Sequence, residues 1–293
     1  MTIVGIPNTL FNFKHPVLWS TFFKELGVKT IVSTDTNLKI LDESVKLSDS
    51  ECCLSVKLLA GHTRALIGKC DFIFVPTLSS EKKGYLSCPR FKAVPHLAKI
   101  FTNGDTRILT ADYNRNYHSK AYFLFKLGIR LNHNPWRVYK AVKKAISCED
   151  MDCTSRTKRF GTKAAKAGKK ILIISHPYIL ADKFMNHSIV SKLEGMGAVP
   201  IPIDEVPFEE KSTEIKWDFA KEVLNCIDYA LDNKTFDGII QITNFNCGCD
   251  SVTVDIIRDK IKNHDVSYLN LIIDEHTAEA GIETRLEAFI DSL

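Results

Sequence analysis

Short apolar runs rich in β-branched residues recur along this chain, and each is followed by a stretch with helical periodicity. Asp71-Phe72-Ile73-Phe74-Val75 and Lys170-Ile171-Leu172-Ile173-Ile174 are continuous rather than alternating. That is how a strand covered on both faces reads. Further strands are expected at Ile3–Ile6, Lys29–Ser33, Thr106–Thr110, Ala198–Ile203, Gly238–Thr243 and Tyr268–Ile273. Between them, His15–Leu26 carries Leu18, Phe22, Phe23 and Leu26 on one helical face, and Gly27 follows as a stop. Asn37–Leu47, Leu54–Ile67, Phe91–Phe101, Ser188–Met196, Trp217–Leu231, Val252–Asn263 and Ala278–Ser292 read as helices too. Strands alternating with helices imply βαβ units and parallel sheets. The expected fold class is therefore α/β, with two Rossmann-like (flavodoxin-like) parallel-sheet domains joined by a helical segment.

The middle of the chain breaks this rhythm. Tyr117–Leu127 and Pro135–Ser147 are amphipathic, and Glu149–Lys170 is rich in Lys, Thr, Gly and Ala, as in a mobile connector or an exposed helix end. The expected division is residues 1–112, a helical segment and connector at 113–168, and a second α/β domain at 169–293. Arg156, Lys158 and Arg159 could meet phosphate, but a solvated face explains them more simply.

The 293 residues are 45% hydrophobic, enough for sizeable cores. A net charge of +4, with no basic patch interleaved with aromatics, argues against nucleic acid as a partner. No run approaches the ~20 apolar residues of a membrane span. The leading Met1-Thr2-Ile3-Val4-Gly5-Ile6-Pro7 lacks the basic flank and long apolar stretch of a signal peptide. The expectation is a cytoplasmic protein without membrane partners. Gly5-Ile6-Pro7-Asn8-Thr9 has neither the glycine pattern nor the Lys-Ser/Thr ending of a phosphate loop, so ATP is not expected to bind here.

Nine cysteines in a reducing compartment do not suggest a disulfide framework, and their number is odd. Three stand in loops that lead into expected helices: Cys53, Cys88 and Cys247. Such loops gather at one edge of an α/β sheet. A helix N-terminus there stabilises thiolate, which binds iron–sulfur clusters, zinc or copper(I). Gly248 would let backbone approach a bulky group. The local Cys-x-x-Cys spacing of ferredoxins or zinc ribbons is absent. Cys52 and Cys249 are spare ligands. Cys70 and Cys226 read as core thiols, and Cys148 and Cys153 as surface thiols beside the connector.

Several stretches carry a family resemblance from end to end. They are Gly5-Ile6-Pro7; Glu51-Cys52-Cys53-Leu54-Ser55-Val56-Lys57; Phe74-Val75-Pro76; and Tyr85-Leu86-Ser87-Cys88-Pro89-Arg90-Phe91. Further along come His176-Pro177-Tyr178; Phe245-Asn246-Cys247-Gly248; Asp274-Glu275-His276-Thr277; and Thr284-Arg285-Leu286-Glu287-Ala288-Phe289. In order and spacing the chain resembles the 2-hydroxyacyl-CoA dehydratase superfamily, and within it the acyl-CoA dehydratase activase-related proteins. The resemblance implies a [4Fe–4S] cluster, or a double-cubane relative, held in an interdomain cleft by Cys53, Cys88 and Cys247 with one iron open. It implies low-potential one-electron chemistry with an ATP-dependent activase or reductase as partner. An acyl-CoA thioester or another small molecule is the implied substrate, and a dimer is a possible state. Ser55 and Cys249 stand where the family usually has Pro, so Cys52 and Cys249 remain alternative ligands. A non-catalytic electron relay or accessory protein of the activase system is the rival reading, and a zinc-bound structural protein a third.

Two other groups stand at expected strand ends. His176 could donate a proton beside the cluster or hold its loop by hydrogen bonds, with Asp182 and Asn186 fixing the same loop. Asp274, Glu275 and His276 could form a metal or acid–base trio, but capping and loop hydrogen bonding explain them more simply.

Overall fold

The computed structural model describes residues 2–131 and 133–293, so Met1 of the leading stretch lies outside the described residues. The chain divides into two compact units, Met1–Cys153 and Thr154–Leu293. Unit 1 runs β1 (Ile3–Ile6), α1 (Phe11–Lys14), α2 (Pro16–Leu26), β2 (Lys29–Val32), α3 (Leu38–Leu47), α4 (Leu54–Arg64) and β3 (Phe72–Phe74). It continues through β4 (Thr77–Ser80), α5 (Pro89–Phe101), β5 (Arg107–Leu109), β6 (Asp112–Asn114), α6 (Lys120–Arg130) and into α7 (Pro135–Ala164). Unit 2 holds the rest of α7, then β7 (Lys170–Ser175), α8 (Pro177–Leu180), α9 (Ile189–Gly195) and β8 (Val199–Pro202). A 3₁₀ turn (Ile203–Glu205) leads to α10 (Asp218–Asn233), β9 (Gly238–Asn244), α11 (Gly248–Ile261), β10 (Ser267–Ile273) and α12 (Glu279–Asp291).

Each unit is an α/β sandwich around a four-stranded sheet, ordered β2-β1-β3-β5 in unit 1 and β10-β9-β7-β8 in unit 2. Every pairing in both sheets is parallel. Counted within its own four-stranded sheet, each order is 2-1-3-4, the flavodoxin-like winding. It reverses direction between β1 and β3, and again between β7 and β9, and ligands of open α/β sheets bind beside such reversals. The expected fold class, two Rossmann-like units with intervening helices, is the one observed.

Hydrophobic burial drives both units. In unit 1, Phe74 of β3 meets Phe11, Trp19 and Phe23 edge-on at 5.6, 5.0 and 5.2 Å between ring centres. In unit 2, Leu172, Ile174, Ile201 and Ile239 of the sheet pack with Val223, Cys226 and Ile227 of α10. Cys226 is a core thiol, as its apolar helical setting suggests.

Two points of the sequence reading become definite. β3 ends at Phe74, ahead of Pro76, and beyond the proline the chain resumes as β4, which pairs with β6 in a separate two-stranded sheet. Of the two forms expected from Glu149 onward, a mobile connector or an exposed helix end, the helix is the one adopted as far as Ala164, where α7 ends. Arg156 pairs with Asp204 at 2.9 Å, while Arg159 and Lys163 pair with the buried Glu205 at 2.9 and 2.8 Å. These basic side chains neutralise the 3₁₀ turn instead of facing a phosphate.

Helix α4 is fastened tightly. A Cβ on Gly61 would come within 2.3 Å of the Ile40 carbonyl oxygen, so glycine lets α3 and α4 touch. On the same helix, buried His62 bridges Ser33 Oγ (2.8 Å) and Thr36 Oγ1 (3.0 Å) beyond β2. Burial lowers its pKa to about 4, so it clasps that loop as a neutral ring.

Unit 1 also holds a buried charge network. His15 lies between Glu149 (2.6 Å) and Glu81 (2.7 Å), while Lys14 pairs with Glu81 and Lys120 with Glu149. Burial alone would lower the His15 pKa, but the two carboxylates hold it above 6.5. Burial would raise both carboxyls; the Lys14 charge and His15 hold Glu81 below 4.5, and His15 and Lys120 do so for Glu149. The His15 contribution is complete below pH 6.5 and is lost as pH climbs through the raised value. The Glu contributions are complete above pH 4.5 and are lost as pH falls through the depressed values. Urea unfolding should therefore show a stability plateau between those limits. His15→Gln should abolish the alkaline decline, and Glu149→Ala should cost about 3 kcal/mol on the plateau.

Candidate metal centre

Each of the three singled-out cysteines is the N-cap residue of a helix: Cys53 of α4, Cys88 of α5 and Cys247 of α11. In none does the side chain make a capping bond. The sulfur thus lies beside backbone N–H groups that have no partner inside the helix. Local sequence builds each junction differently. Before α4, an Asp49 carboxylate accepts the Glu51 N–H at 2.8 Å and turns the chain. At α5, Pro89 occupies the first helical position, so the helix starts two residues earlier than its apolar periodicity suggests. Before α11, Asn246 takes a left-handed φ of 60°, which asparagine tolerates well.

Cys53 and Cys88 both lie in unit 1, near enough for a charge on Cys88 to act on the Cys53 thiol. Cys53 feels the charges of Cys88, Cys52 and Arg90, and the Arg90 guanidinium donates to the Glu51 carbonyl at 2.6 Å. Burial raises the Cys53 thiol to about 11, against the pull of the Val56 amide and Arg90. Without a metal it is therefore a protonated thiol at neutral pH. Cys247 belongs to unit 2, so the pair and the third cysteine are built on separate sheets.

Around Cys247, unit 2 assembles more than the sequence reading expected. His176 directly follows β7 and Cys247 follows β9, one on each side of the strand-order reversal. One ligand atom from each of His176, Cys247 and Asp250 lies within 4.8 Å of the others. His176 Nε2 is 3.0 Å from Asp250 Oδ1. The imidazole stacks on Phe219 (3.7 Å between centres) and on Tyr178 (4.8 Å). His176 is the N-cap residue of α8, but its side chain makes no capping bond. A cavity of about 580 Å³ opens beside Cys247, lined also by Asn244, Asp250, Arg258 and Asn270. A Cβ on Gly248 would meet no atom within 4 Å, so the space over this backbone is open.

Asp250 was not singled out from sequence. Apolar periodicity in this helix begins only at Val252, whereas the helix itself begins at Gly248. The available signal was an acidic residue in the turn after Cys247-Gly248, where a helix N-terminus favours negative charge. The other polar candidates are structural. Asp182 accepts the amides of Phe184 and Met185 at 3.1 and 3.0 Å, and Asn186 donates to the carbonyls of Ile179 and Leu180. Asp274 accepts the His276 amide (2.9 Å) and the Thr277 hydroxyl (2.8 Å), closing its own loop. The N-cap of α12 is Ala278, without a side-chain bond, so of the two simpler roles expected here the loop hydrogen bonding is the one seen.

None of the nine cysteines is in a disulfide. They differ in exposure, with Cys226 and Cys53 buried and Cys153 exposed. Burial raises the Cys226 thiol strongly, as it does Cys53. Timed alkylation of the metal-free native protein near neutral pH should modify Cys153 first and leave Cys53 and Cys226 intact until unfolding. Mass spectrometry of tryptic peptides reads the order.

None of the curated proteins matches the chain. Among solved structures, that of ZnuA is 10% identical with a TM-score of 0.27, over 100% of this chain and 98% of that one. AdcAII from Streptococcus pneumoniae is 10% identical with a TM-score of 0.29, over 100% and 98%. An FpvC mutant from Pseudomonas aeruginosa is 12% identical with a TM-score of 0.28, over 99% and 96%. Likeness at this level establishes neither a common ligand nor a common site. Among the described residues, no helix is long and apolar enough to cross a membrane. The model of one family, described as the CoA enzyme activase uncharacterised domain, matches residues 3–206. That span includes Cys53, Cys88 and His176 and ends before Cys247. Covering well over half of the sequence, the match shows that this chain belongs to the CoA enzyme activase uncharacterised domain family.

Proposed function

We propose that this chain is a cytoplasmic iron–sulfur protein of a CoA-enzyme activation system. It would hold a [4Fe–4S]-type cluster through Cys53, Cys88 and Cys247 and work with an ATP-dependent activase. The observation that carries the reading is the shared placement of these three thiols, each the N-cap residue of a helix. Family membership supports the activation role. The sequence resemblance to the 2-hydroxyacyl-CoA dehydratases supports the cofactor and the ligand set.

The residues fit such a group on chemical grounds. Thiolates are the donors that iron–sulfur clusters take. Metal coordination would displace the proton that burial holds on Cys53. Arg90 supplies positive charge beside the anionic sulfurs of unit 1. When bound, the cluster would supply low-potential one-electron transfer. The chain's own residues bind and shield it. Buried Leu54 and Phe91 follow the two unit 1 cysteines and limit water there. In unit 2 the cavity beside Cys247 leaves room for a small molecule such as a thioester.

Anaerobic reconstitution with ferrous iron and sulfide tests this. The wild-type chain should take up iron and acid-labile sulfide in near-equal amounts. Cys53→Ser, Cys88→Ser and Cys247→Ser should each lose most of that uptake, while Cys226→Ala should keep it. A folded wild-type protein that takes up no iron would reject the reading.

A further inference from the structure

His176 Nδ1, just after β7, and Asp250 Oδ2, in the first turn of α11, are buried and have no hydrogen-bond partner among the described residues. Their residues are only 5% and 2% exposed. A buried carboxylate oxygen and a buried imidazole nitrogen left unsatisfied are costly, and such groups in a native fold point to something that binds them. Both side chains are also held in place. The imidazole is packed against Phe219 and Tyr178, and Asp250 Oδ1 takes its Nε2 at 3.0 Å. Thr253 donates to the Asp250 carbonyl at 2.9 Å and accepts from Gln241 of β9, fixing the turn that carries the carboxylate.

We propose that unit 2 by itself binds one divalent metal ion of borderline softness, zinc or ferrous iron, through Cys247, His176 and Asp250. The three ligand atoms already lie within 4.8 Å of one another, so the movement needed to reach a common ion is small. A thiolate, an imidazole and a carboxylate form the mixed donor set these ions take, whereas calcium and magnesium take oxygen. One thiolate and one carboxylate together balance the charge of a dication. Three protein ligands leave a fourth tetrahedral position. The cavity lined by Cys247 and Asp250 gives water or a small ligand access to it. This site shares Cys247 with the cluster proposed above and deepens that reading: the ion is the occupant of unit 2 when no cluster is present. Neither Cys53 nor Cys88 takes part, and the ion and the cluster compete for one sulfur.

The test uses cobalt(II) as the probe, titrated anaerobically into the full chain carrying Cys53→Ala and Cys88→Ala. One equivalent should bind, with a thiolate-to-cobalt charge-transfer band and tetrahedral visible bands that zinc removes. Cys247→Ala in that background should abolish the charge-transfer band. His176→Gln and the nearly isosteric Asp250→Asn should each weaken binding about 10- to 100-fold. The same two substitutions in the wild-type chain guard against misfolding of the multiple variants. Cobalt binding that vanishes with the unit 1 cysteines, or that ignores His176 and Asp250, would overturn the site. Failure of the cluster reading shows separately, as wild-type protein that binds cobalt but takes up no iron and sulfide.

Discussion

The junction between a strand's carboxyl end and the helix that follows governs the chemistry of this chain. A parallel sheet sends its strand ends to one edge, and the helices that start there point unpaired amides toward that edge. A thiol placed as the cap residue sits in the one part of the fold where its anionic form is favoured electrostatically. Cys247 takes this position after β9 and Cys88 caps α5 beyond β4, whereas Cys53 caps α4 after another helix, α3. Burial works against it at Cys53, whose thiol is raised to about 11. The balance leaves a Cys53 thiol that holds its proton in the absence of metal and would release it to a strongly bound cation.

Both units use the same 2-1-3-4 winding but equip it differently. Unit 1 places Cys53 and Cys88 at two helix starts with the Arg90 guanidinium acting on Cys53, and it holds α4 by the Gly61 contact and the His62 clasp. Its ionic capacity is spent elsewhere, in the Lys14–Glu81–His15–Glu149–Lys120 network that ties α1 and α2 to β4, α6 and α7. Unit 2 places one thiol, one imidazole and one carboxylate at the reversal of its strand order, with an open cavity alongside. A soft, sulfur-rich half and a mixed-donor half are thus written on one topology.

Sequence alone revealed what periodicity and residue chemistry can carry. The buried strand at Lys170, the amphipathic helix ended by Gly27 and the core role of Cys226 were all legible, because each is a local pattern with one dominant physical cause. Helix starts without apolar residues were not. The first turn of α11 is polar, so Asp250 stayed hidden although it contacts His176 across 74 residues of sequence. The continuation of α7 past Cys148 was only one of two readings, because residues 149–164 are mostly polar and charged, with few large apolar side chains to mark a helical face. Ion pairing, too, is a tertiary property: nothing local told that Arg156 and Arg159 would face Asp204 and Glu205.

The account stands on sulfur from the capping cysteines as the donor that holds iron. X-ray absorption at the iron edge of anaerobically reconstituted protein measures this directly. The account predicts a first shell dominated by sulfur together with iron–iron scattering. A shell of oxygen and nitrogen without a neighbouring iron would contradict it.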